Sequence, residues 1–248
     1  MWHPRWIAVA YIDPILEGIR PLIHGTVLDV GCGARPHESR LARDATRYVG
    51  IDRPGPGPAR PDVVGDAMAL PVRSRAADAV LATELLEHLP RPADFLAEAA
   101  RVLRPGGTLV LSTPFLEPLH EEPRDFFRFT THGLRVLLVE SGFEVRSIQR
   151  KGGWWSVVVG SFVNQALYDL ANPERGDGRR RDNPVLIALV LPLCALAQVV
   201  GYSLDRLWPG RRYTLGYVTV ATLAHSVPAV GGTQAGDSLP REPSPGPA

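Results

Sequence analysis

The chain has 248 residues, of which 45% are hydrophobic, and a formal net charge of +1. A chain of this size can bury one sizeable core, and we expect one domain with added segments. The near-neutral charge argues against a nucleic-acid partner, because phosphate binding needs a clear basic excess. The two cysteines, Cys32 and Cys194, indicate neither a disulfide framework nor a metal cluster, which fits a reducing cytoplasm.

The amino-terminal segment, residues 1–24, is predicted to be a helical cap. Its aromatic and aliphatic residues recur at helical spacings on both sides of Pro14, which indicates one or two short helices. Its apolar stretch is too short for a cleavable signal peptide. We expect the cap to pack on the sheet, and the alternative is a lid over a ligand or a contact to an apolar substrate.

Residues 26–30 are predicted to be a buried strand at the centre of a parallel sheet. The run is apolar and β-branched except for Asp29, and Gly31 and Gly33 follow it. The glycines permit a tight turn, and the ligands of open α/β sheets bind beyond the carboxyl ends of the strands. This stretch therefore predicts a nucleotide site, although such glycines also occur as simple turns.

A second strand, residues 47–51, ends in Asp52, which lies 19 residues after Gly33. At this spacing a carboxylate accepts hydrogen bonds from the hydroxyls of a nucleotide ribose. Pro36 stands where dinucleotide-binding sequences have a third glycine, and it has no N–H for a phosphate, so a nicotinamide enzyme is disfavoured. The carboxylates at the predicted strand ends would instead attract a cation such as S-adenosylmethionine. These carboxylates are Asp29, Asp52, Asp66, Glu84 and Glu87.

The chain then alternates strands and helices, which predicts a doubly wound, mostly parallel α/β sheet. Further strands are predicted at residues 62–64, 78–83, 108–112 and 143–148. Helices are predicted at residues 37–42, 91–103 and 132–141, and residues 54–58 are predicted to be a surface loop.

Six motifs follow one another in the chain: VLDVGCG, YVGID, VVGDAMALPV, DAVLATELLEHL, AARVLRPGGTLVLSTP and GLRVLLVESGFEV. In this order, over residues 25–150, they resemble the class I S-adenosylmethionine-dependent methyltransferases of the methyltransferase type 11 group. The resemblance implies a Rossmann-like fold with a seven-stranded sheet, in which residues 213–225 would form the last, antiparallel strand. The chain departs from many relatives at residues 34–36, where they have a smaller and more glycine-rich turn.

The resemblance also implies S-adenosylmethionine as the cofactor and places its site at the strand ends. The methionine part would lie at Asp29, Gly31 and Gly33, the ribose at Asp52, and the adenine at Asp66 and Ala67. Thr83 and Glu84 would close the other side of the binding site.

Methyl transfer requires the acceptor to be aligned with the sulfonium, and it requires a base only where the acceptor holds its proton tightly. His88 follows the predicted fourth strand, and its position in the family motif borders the transferable methyl group. It is therefore the candidate base or acceptor-orienting residue, and the alternative is a histidine that only braces the loop.

Residues 113–130 resemble a subgroup of the family in which a histidine and a D-[FY]-[FY]-R-[FY]-T run precede the next helix. His120 and Asp125 would touch the acceptor, and Arg128 would hold an anionic group on it. The alternative is internal: Asp125 and Arg128 pair with each other, and Thr130 caps the helix. No metal site is expected, because the adjacent side chains of residues 120–122 cannot converge on one ion without a third element.

Residues 151–212 are predicted to be a hydrophobic helical insert before the final strand. The helices at residues 154–171 and 185–207 are expected to lie in a membrane interface or to dip in as a hairpin, because both ends must return to one sheet. Arginines at residues 179–181 and 211–212 would meet anionic headgroups. The alternative is a hairpin that folds onto the domain or into a dimer contact. The tail, residues 226–248, is predicted to be disordered.

The sequence therefore predicts a methyltransferase that acts on an oxygen, nitrogen or carbon nucleophile of a small or amphipathic acceptor, including a lipid-linked one. It is expected to be cytoplasmic, with peripheral contact at the inner face of the membrane. The rivals are a methyltransferase of a soluble metabolite with a buried insert, and a catalytically silent nucleotide-binding scaffold. Intact Asp52, Asp66, Glu84 and His88 argue against the silent scaffold.

Overall fold

The computed structural model describes residues 6–54, 61–171, 184–210 and 212–225. Its strands are β1 (Gly25–Val30), β2 (Ala45–Asp52), β3 (Val63–Val64), β4 (Ala77–Thr83), β5 (Leu103–Pro114), β6 (Phe143–Lys151) and β7 (Gly216–Leu223). They form one seven-stranded sheet in the order β3-β2-β1-β4-β5-β7-β6. β7 pairs antiparallel with β5 and β6, and the other pairs are parallel, which confirms the predicted Rossmann-like methyltransferase fold.

Helices cover both faces of this sheet. They are α1 (Trp6–Ile19), α2 (Glu38–Leu41), α3 (Pro92–Val102), α4 (Thr131–Glu140), α5 (Trp154–Ala171) and α6 (Pro184–Leu207). Phe95, Leu96, Ala99 and Val102 recur at the spacing of one helix face, and all are fully buried in the larger core cluster. On the opposite face α1 contributes Ile12, Leu16 and Ile19 to a second cluster that includes residues of β1, β4, β5 and β7. The central strands are therefore covered on both sides, as their apolar sequences require.

Two elements differ in extent from the sequence predictions. β5 begins at Leu103, which is the last residue of the helix predicted at residues 91–103. It also includes Pro105-Gly106-Gly107, which lie between that helix and the strand predicted at residues 108–112. The pairing with β4 shifts register between Ala77 and Ala79, which accommodates the additional residues. The first helix after the glycine turn covers only Glu38–Leu41, and a 3₁₀ turn at residues 42–44 follows it.

The helices α5 and α6 form an antiparallel hairpin between β6 and β7. The carboxylate of Asp205, near the end of α6, accepts backbone N–H bonds at the start of α5 from Gly153 (2.9 Å), Trp155 (3.0 Å) and Ser156 (3.0 Å). The hydroxyl of Tyr11 on α1 donates to the same carboxylate at 3.1 Å. Asp205 therefore joins both hairpin helices to α1 and satisfies amides that the first turn of α5 leaves free.

Several sequence predictions fall outside the described residues. They concern the tail at residues 226–248, most of the Pro-Gly loop, and the arginines at positions 179–181 and 211.

We expect Asp205→Ala to lower the free energy of unfolding by about 2 to 4 kcal/mol, because several buried amides and a hydroxyl lose a charged acceptor. Urea denaturation measures this change. Asp44→Ala is the matched control: Asp44 forms a surface ion pair with Arg20, and such pairs contribute less than about 1 kcal/mol. Equal, small effects of the two variants would contradict the role assigned to Asp205.

Candidate active site

The carboxyl ends of β1, β2, β4 and β5 meet at one edge of the sheet because these strands run parallel. The turn after β1 is also bonded to the end of β2, since the Gly31 N–H donates to the Ile51 carbonyl oxygen at 2.8 Å. The site residues predicted from the sequence therefore lie along one edge, where ligands of open α/β sheets bind.

The glycine turn after β1 forms a cradle next to open space. Gly31 has a φ of +70°, and a Cβ added to it would lie 2.8 Å from a methyl carbon of Leu85. Gly33 has a φ of +48°, yet no atom lies within 4 Å of the place where its Cβ would be. Left-handed backbone at both positions favours glycine, and the space above Gly33 is available to a ligand.

Asp52 is bonded to this turn and keeps capacity for more hydrogen bonds. One carboxylate oxygen accepts from the Gly33 N–H at 2.8 Å, and the other accepts from the Arg53 N–H at 2.7 Å. An ionised carboxylate offers about four lone-pair sites. Asp52 therefore has acceptor sites left for the two hydroxyls of a ribose, and its position beside the glycine cradle fits S-adenosylmethionine.

Asp66 and Ala67 follow β3 at the neighbouring position. The carboxylate of Asp66 accepts from the Met68 N–H at 2.9 Å and pairs with the Arg53 guanidinium at 2.8 Å. These two bonds, the Met68 N–H first, hold the pKa of Asp66 below its ordinary value. Ala67 is buried next to it. Sequence analysis did not anticipate Arg53, which joins the two loops that would hold the nucleoside.

Asp29 lies behind the cradle and is 4% exposed. Burial raises the pKa of its carboxyl to about 6, although the Tyr48 hydroxyl donates to it at 2.6 Å and lowers the pKa. Tyr48 was not predicted from the sequence. Tyr48 lies on β2 and Asp29 on the neighbouring strand β1, so the two side chains meet only because of how these strands pair.

Glu84, after β4, is held by a buried pair of side chains. The ammonium of Lys151 lies 2.6 Å from its Oε1, and the Ser112 hydroxyl donates to the same oxygen. Lys151 is 2% exposed, and a Cβ on Gly216 would lie 2.4 Å from its Cε, so the strand beside it must have glycine there. Thr83 is the register partner of Ser112. Sequence analysis missed Lys151, although it is the only lysine of the chain.

His88 and His120 come together beyond β4 and β5. Their rings meet edge to face with centroids 4.9 Å apart. His88 Nδ1 lies 2.7 Å from the carbonyl oxygen of Arg124, and His88 Nε2 lies 3.8 Å from a carboxylate oxygen of Glu87 and of Glu121. The structure therefore places both predicted histidines in one cluster at the edge that carries the cofactor cradle.

Arg128 is bonded within its own loop. Its terminal nitrogens lie 2.6 Å and 2.7 Å from the two carboxylate oxygens of Asp125, and this bidentate pair lowers the pKa of Asp125 to about 2. Thr130 accepts the Gly133 N–H at 3.0 Å and so caps α4. These contacts are those of the internal alternative, which favours a structural role for Arg128 over its predicted contact with an anionic acceptor.

Glu87 is fully buried between the cofactor edge and the histidines. Neither of its carboxylate oxygens has a hydrogen-bond partner among the described residues. Burial, and next the charge of Glu84, raise its pKa to about 8. Buried carboxyl groups are normally satisfied, so an unpartnered one beside a candidate active site needs an explanation.

A separate cavity of about 500 Å³ lies between α1, β6 and the end of α6. Tyr11, Arg150, Tyr202, Asp205 and Arg206 line it with other residues, and none of the predicted site residues is among them. The candidate active site is the strand edge described above, since that edge carries the glycine cradle and the carboxylates.

Comparisons with known proteins agree with this fold. Residues 28–111 match the family described as methyltransferase domain. A tRNA U34 carboxymethyltransferase from Pseudoalteromonas translucida is 36% identical over 209 residues, which cover 69% of this chain and 61% of that protein. The chain spans less than two thirds of the length of the curated relatives that it matches.

Two solved structures show the same architecture. The [4+2]-cyclase SpnF superimposes with a TM-score of 0.55 at 20% identity, covering 87% of this chain and 80% of that one. Phosphoethanolamine N-methyltransferase 2 of Haemonchus contortus, in complex with S-adenosyl-L-methionine, gives a TM-score of 0.50 at 14% identity, covering 88% of this chain and 52% of that one. At such identities the likeness shows the fold alone.

The fold and the strand-edge site define a Rossmann-like domain that binds a nucleoside-containing ligand. Residues 28–111 carry a methyltransferase domain of the type 11 group. The cofactor of this class is S-adenosylmethionine.

We expect the stability of the wild type, relative to Asp29→Asn, to fall as pH rises from about 4 to about 6. Burial raises the pKa of Asp29 from 3.8 to about 6, so in this window the folded state keeps a proton that the unfolded state has lost. Stability falls with pH wherever the unfolded state binds fewer protons. Above the window both states are ionised, and the difference should level off.

Urea denaturation at a series of pH values measures this difference. Tyr48→Phe removes a bond that lowers the Asp29 pKa, so that variant should extend the decline to higher pH. A constant difference between wild type and Asp29→Asn across the window would show that the Asp29 pKa is not raised.

Proposed function

We propose that the protein is an S-adenosylmethionine-dependent methyltransferase that acts on an oxygen, nitrogen or carbon nucleophile of an amphipathic acceptor. One observation carries the proposal: Gly33 faces open space while its N–H is bonded to Asp52, which has free acceptor sites beside that space. This pair supplies a backbone surface and a ribose acceptor in the arrangement that the family requires. The proposal does not rest on the fold alone, because a protein named as a [4+2]-cyclase has the same fold.

The predicted cofactor residues divide between direct contact and support. Gly31 and Gly33 let the backbone approach the ligand, and Asp52 accepts from its ribose. When bound, S-adenosylmethionine supplies an electrophilic methyl group on a positively charged sulfur. The carboxylate of Glu84, held by Lys151 at the same edge, faces that charge. Asp29 is too buried to replace these residues, and it supports the turn from behind.

His88 and His120 are proposed to act on the acceptor. The carbonyl of Arg124 only accepts hydrogen bonds, so His88 Nδ1 carries a proton toward it and Nε2 of the neutral ring keeps its lone pair. A lone pair on a fixed ring can orient an acceptor or receive its proton. His120 packs against this ring and restricts its orientation. The alternative role of His88, bracing of the loop, is compatible with the same bond to Arg124.

The apolar hairpin points to an amphipathic acceptor and to peripheral membrane contact. Large apolar side chains are exposed on both helices, namely Trp154, Val158, Phe162, Leu189, Leu191, Leu193, Leu196, Val199, Val200 and Leu207. Residues 188–207 are long and apolar enough to span a membrane, and only 22% of that segment is buried. Contiguous exposed apolar surface marks interaction sites.

The hairpin is connected to the active edge. It leaves the sheet after Lys151 and returns before Gly216, and these two residues are register partners at the carboxyl end of β5. Both helix ends therefore lie on the side where the cofactor cradle opens. A hairpin that contacts a membrane from this side would bring the site to an acceptor embedded at the surface.

An RNA acceptor is the competing candidate, because the similar protein from Pseudoalteromonas translucida is named for tRNA. The net charge of +1 provides little attraction for a phosphate backbone, which disfavours this candidate. Mass spectrometry of lipids, metabolites and nucleosides from a deletion strain distinguishes the acceptor classes. We expect a lipid or another amphipathic compound to lose one methyl group, and loss of methylation in nucleosides alone would contradict the amphipathic acceptor.

We expect Asp52→Ala to weaken the binding of S-adenosylhomocysteine by about 1.5 to 3 kcal/mol, because two ribose hydroxyls lose a charged acceptor. Isothermal calorimetry measures the affinity, and Asp44→Ala on the surface should leave it unchanged. If wild-type protein binds no S-adenosylhomocysteine, both the methyltransferase proposal and the nucleotide-binding scaffold alternative are contradicted. If Asp52→Ala binds as well as wild type, the ribose contact is assigned to the wrong residue.

We expect the intact protein to float with vesicles that contain anionic phospholipid, and we expect the triple variant Leu189→Gln, Leu193→Gln, Leu196→Gln to remain in solution. These leucines are more than half exposed on α6, so their replacement should cost little stability. Val136→Gln with Val139→Gln on α4 is the matched control, because those valines are also exposed but lie outside the hairpin. Equal, negligible flotation of all three proteins would remove the membrane proposal.

A further inference from the structure

The cluster around His88 has the composition and spacing of a metal site. Glu87, His88 and His120 each offer one ligand atom, and these atoms all lie within 4.8 Å of one another. Glu87 and His88 belong to the 3₁₀ turn that follows β4, and His120 belongs to the loop that follows β5. The sequence-based expectation of no metal rested on the lack of a third element beside residues 120–122, and this turn supplies such an element.

The hydrogen bonds of His88 leave its inward nitrogen free for a cation. Its Nδ1 donates to the Arg124 carbonyl oxygen at 2.7 Å, so the lone pair of the neutral ring lies on Nε2. Nε2 is the atom that lies 3.8 Å from the Glu87 carboxylate. A histidine whose second nitrogen is fixed by an oxygen acceptor is the usual arrangement of a metal ligand.

His120 is held in a similar way. Its Nδ1 lies 3.1 Å from the Pro118 carbonyl oxygen and 3.4 Å from a carboxylate oxygen of Asp125. Arg128 also lies 3.5 Å from Nδ1, but its shorter bonds go to Asp125. The two oxygen acceptors place the proton on Nδ1, and the other nitrogen keeps its lone pair. Both histidines thus have a fixed orientation and a free ligand atom.

Glu87 supplies the carboxyl ligand of such a site. Its side chain is fully buried, and both oxygens lack hydrogen-bond partners among the described residues. Buried carboxyl groups normally have partners for both oxygens, and a bound cation would supply one here. The unpartnered oxygens next to two oriented imidazoles are a second, independent indication of a missing ligand.

We infer that Glu87, His88 and His120 bind one divalent transition-metal cation, for which Zn²⁺ is the appropriate probe. Imidazole and carboxylate ligands suit first-row transition ions, whereas Mg²⁺ and Ca²⁺ prefer oxygen alone. Two ligand atoms at about 2.1 Å from one tetrahedral ion lie roughly 3.4 Å apart. The observed separations, up to 4.8 Å, require the ligand atoms to approach one another by up to about 1.4 Å.

The cation would also narrow the acceptor class, and this step rests on the proposed methyltransferase function. A transition ion with three protein ligands keeps a coordination position for a substrate oxygen. A hydroxyl bound there would be more acidic and would lose its proton to water, and its oxygen would then bond to the methyl carbon as the carbon–sulfur bond breaks and S-adenosylhomocysteine leaves. With Nε2 of His88 bound to the ion, His88 would act on the acceptor through the ion and not as a base. The cluster thus favours acceptors that are methylated on oxygen.

The test is calorimetry of Zn²⁺ binding to the full chain without an affinity tag, after treatment with a chelator. We expect one ion per chain for wild type and at least a hundredfold weaker binding for the double variant His88→Gln, His120→Gln. His132→Gln, on the exposed side of α4, is the matched control and should bind as wild type does. Substitution with Co²⁺ should give wild type the visible absorption of a low-coordinate nitrogen and oxygen site, and the double variant should lack it.

Each outcome is decisive because folding and cofactor binding are measured on the same samples. Circular dichroism and S-adenosylhomocysteine affinity show whether the double variant is folded, and Glu87→Gln provides a second, single-residue loss of a ligand. Absence of stoichiometric Zn²⁺ binding by wild type, or equal binding by wild type and the folded double variant, would overturn the metal site. Zn²⁺ binding without any S-adenosylhomocysteine binding would keep the metal site and contradict the proposed function instead.

Discussion

The buried ion pair between Lys151 and Glu84 connects the parts of this protein that have to act together. Lys151 is the last residue of β6, and Glu84 follows β4, so the pair reaches across β5 and β7 under the active edge. Removal of the partly exposed Glu84 would leave the buried ammonium of Lys151 without its carboxylate, which costs more than the loss of an exposed pair, whose contribution is less than about 1 kcal/mol. Gly216 must lack a side chain for Lys151 to fit. The start of the helical hairpin, its return and the cofactor edge are therefore fixed by one contact.

The central fold could be predicted from the sequence because its signals are local. Apolar runs such as residues 26–30, glycine turns after them, and the buried face of α3 each identify an element within a few residues. Once the strands are parallel, their carboxyl ends must share an edge, and that places Asp52 beside the turn at Gly33. The number of strands and the antiparallel β7 came from the family resemblance, and the structure has both.

The parts that could not be predicted depend on contacts between distant segments. Nothing in the sequence near Lys151 indicates that it is buried, since a lysine near a strand end is usually solvated. Its one unusual feature in the sequence is that it is the only lysine. Arg128 showed two equally plausible roles in sequence, and the bidentate bond to Asp125 separates them. The convergence of Glu87 and His88 with His120 needs the spacing between two loops, which no single stretch contains. The extent of β5 was missed because Pro105 and Gly106 indicate a turn, whereas pairing with β4 outweighs that local preference.

The central claim is that the glycine cradle and Asp52 hold S-adenosylmethionine, and a crystal structure of the protein with S-adenosylhomocysteine tests it most directly. The account predicts the amino-acid part of the ligand over Gly31 and Gly33, and both ribose hydroxyls within hydrogen-bond distance of Asp52. It also predicts the sulfur on the side of the cradle that faces His88. Ligand density at another place, such as the cavity between α1 and α6, or a ribose that does not contact Asp52, would contradict the account.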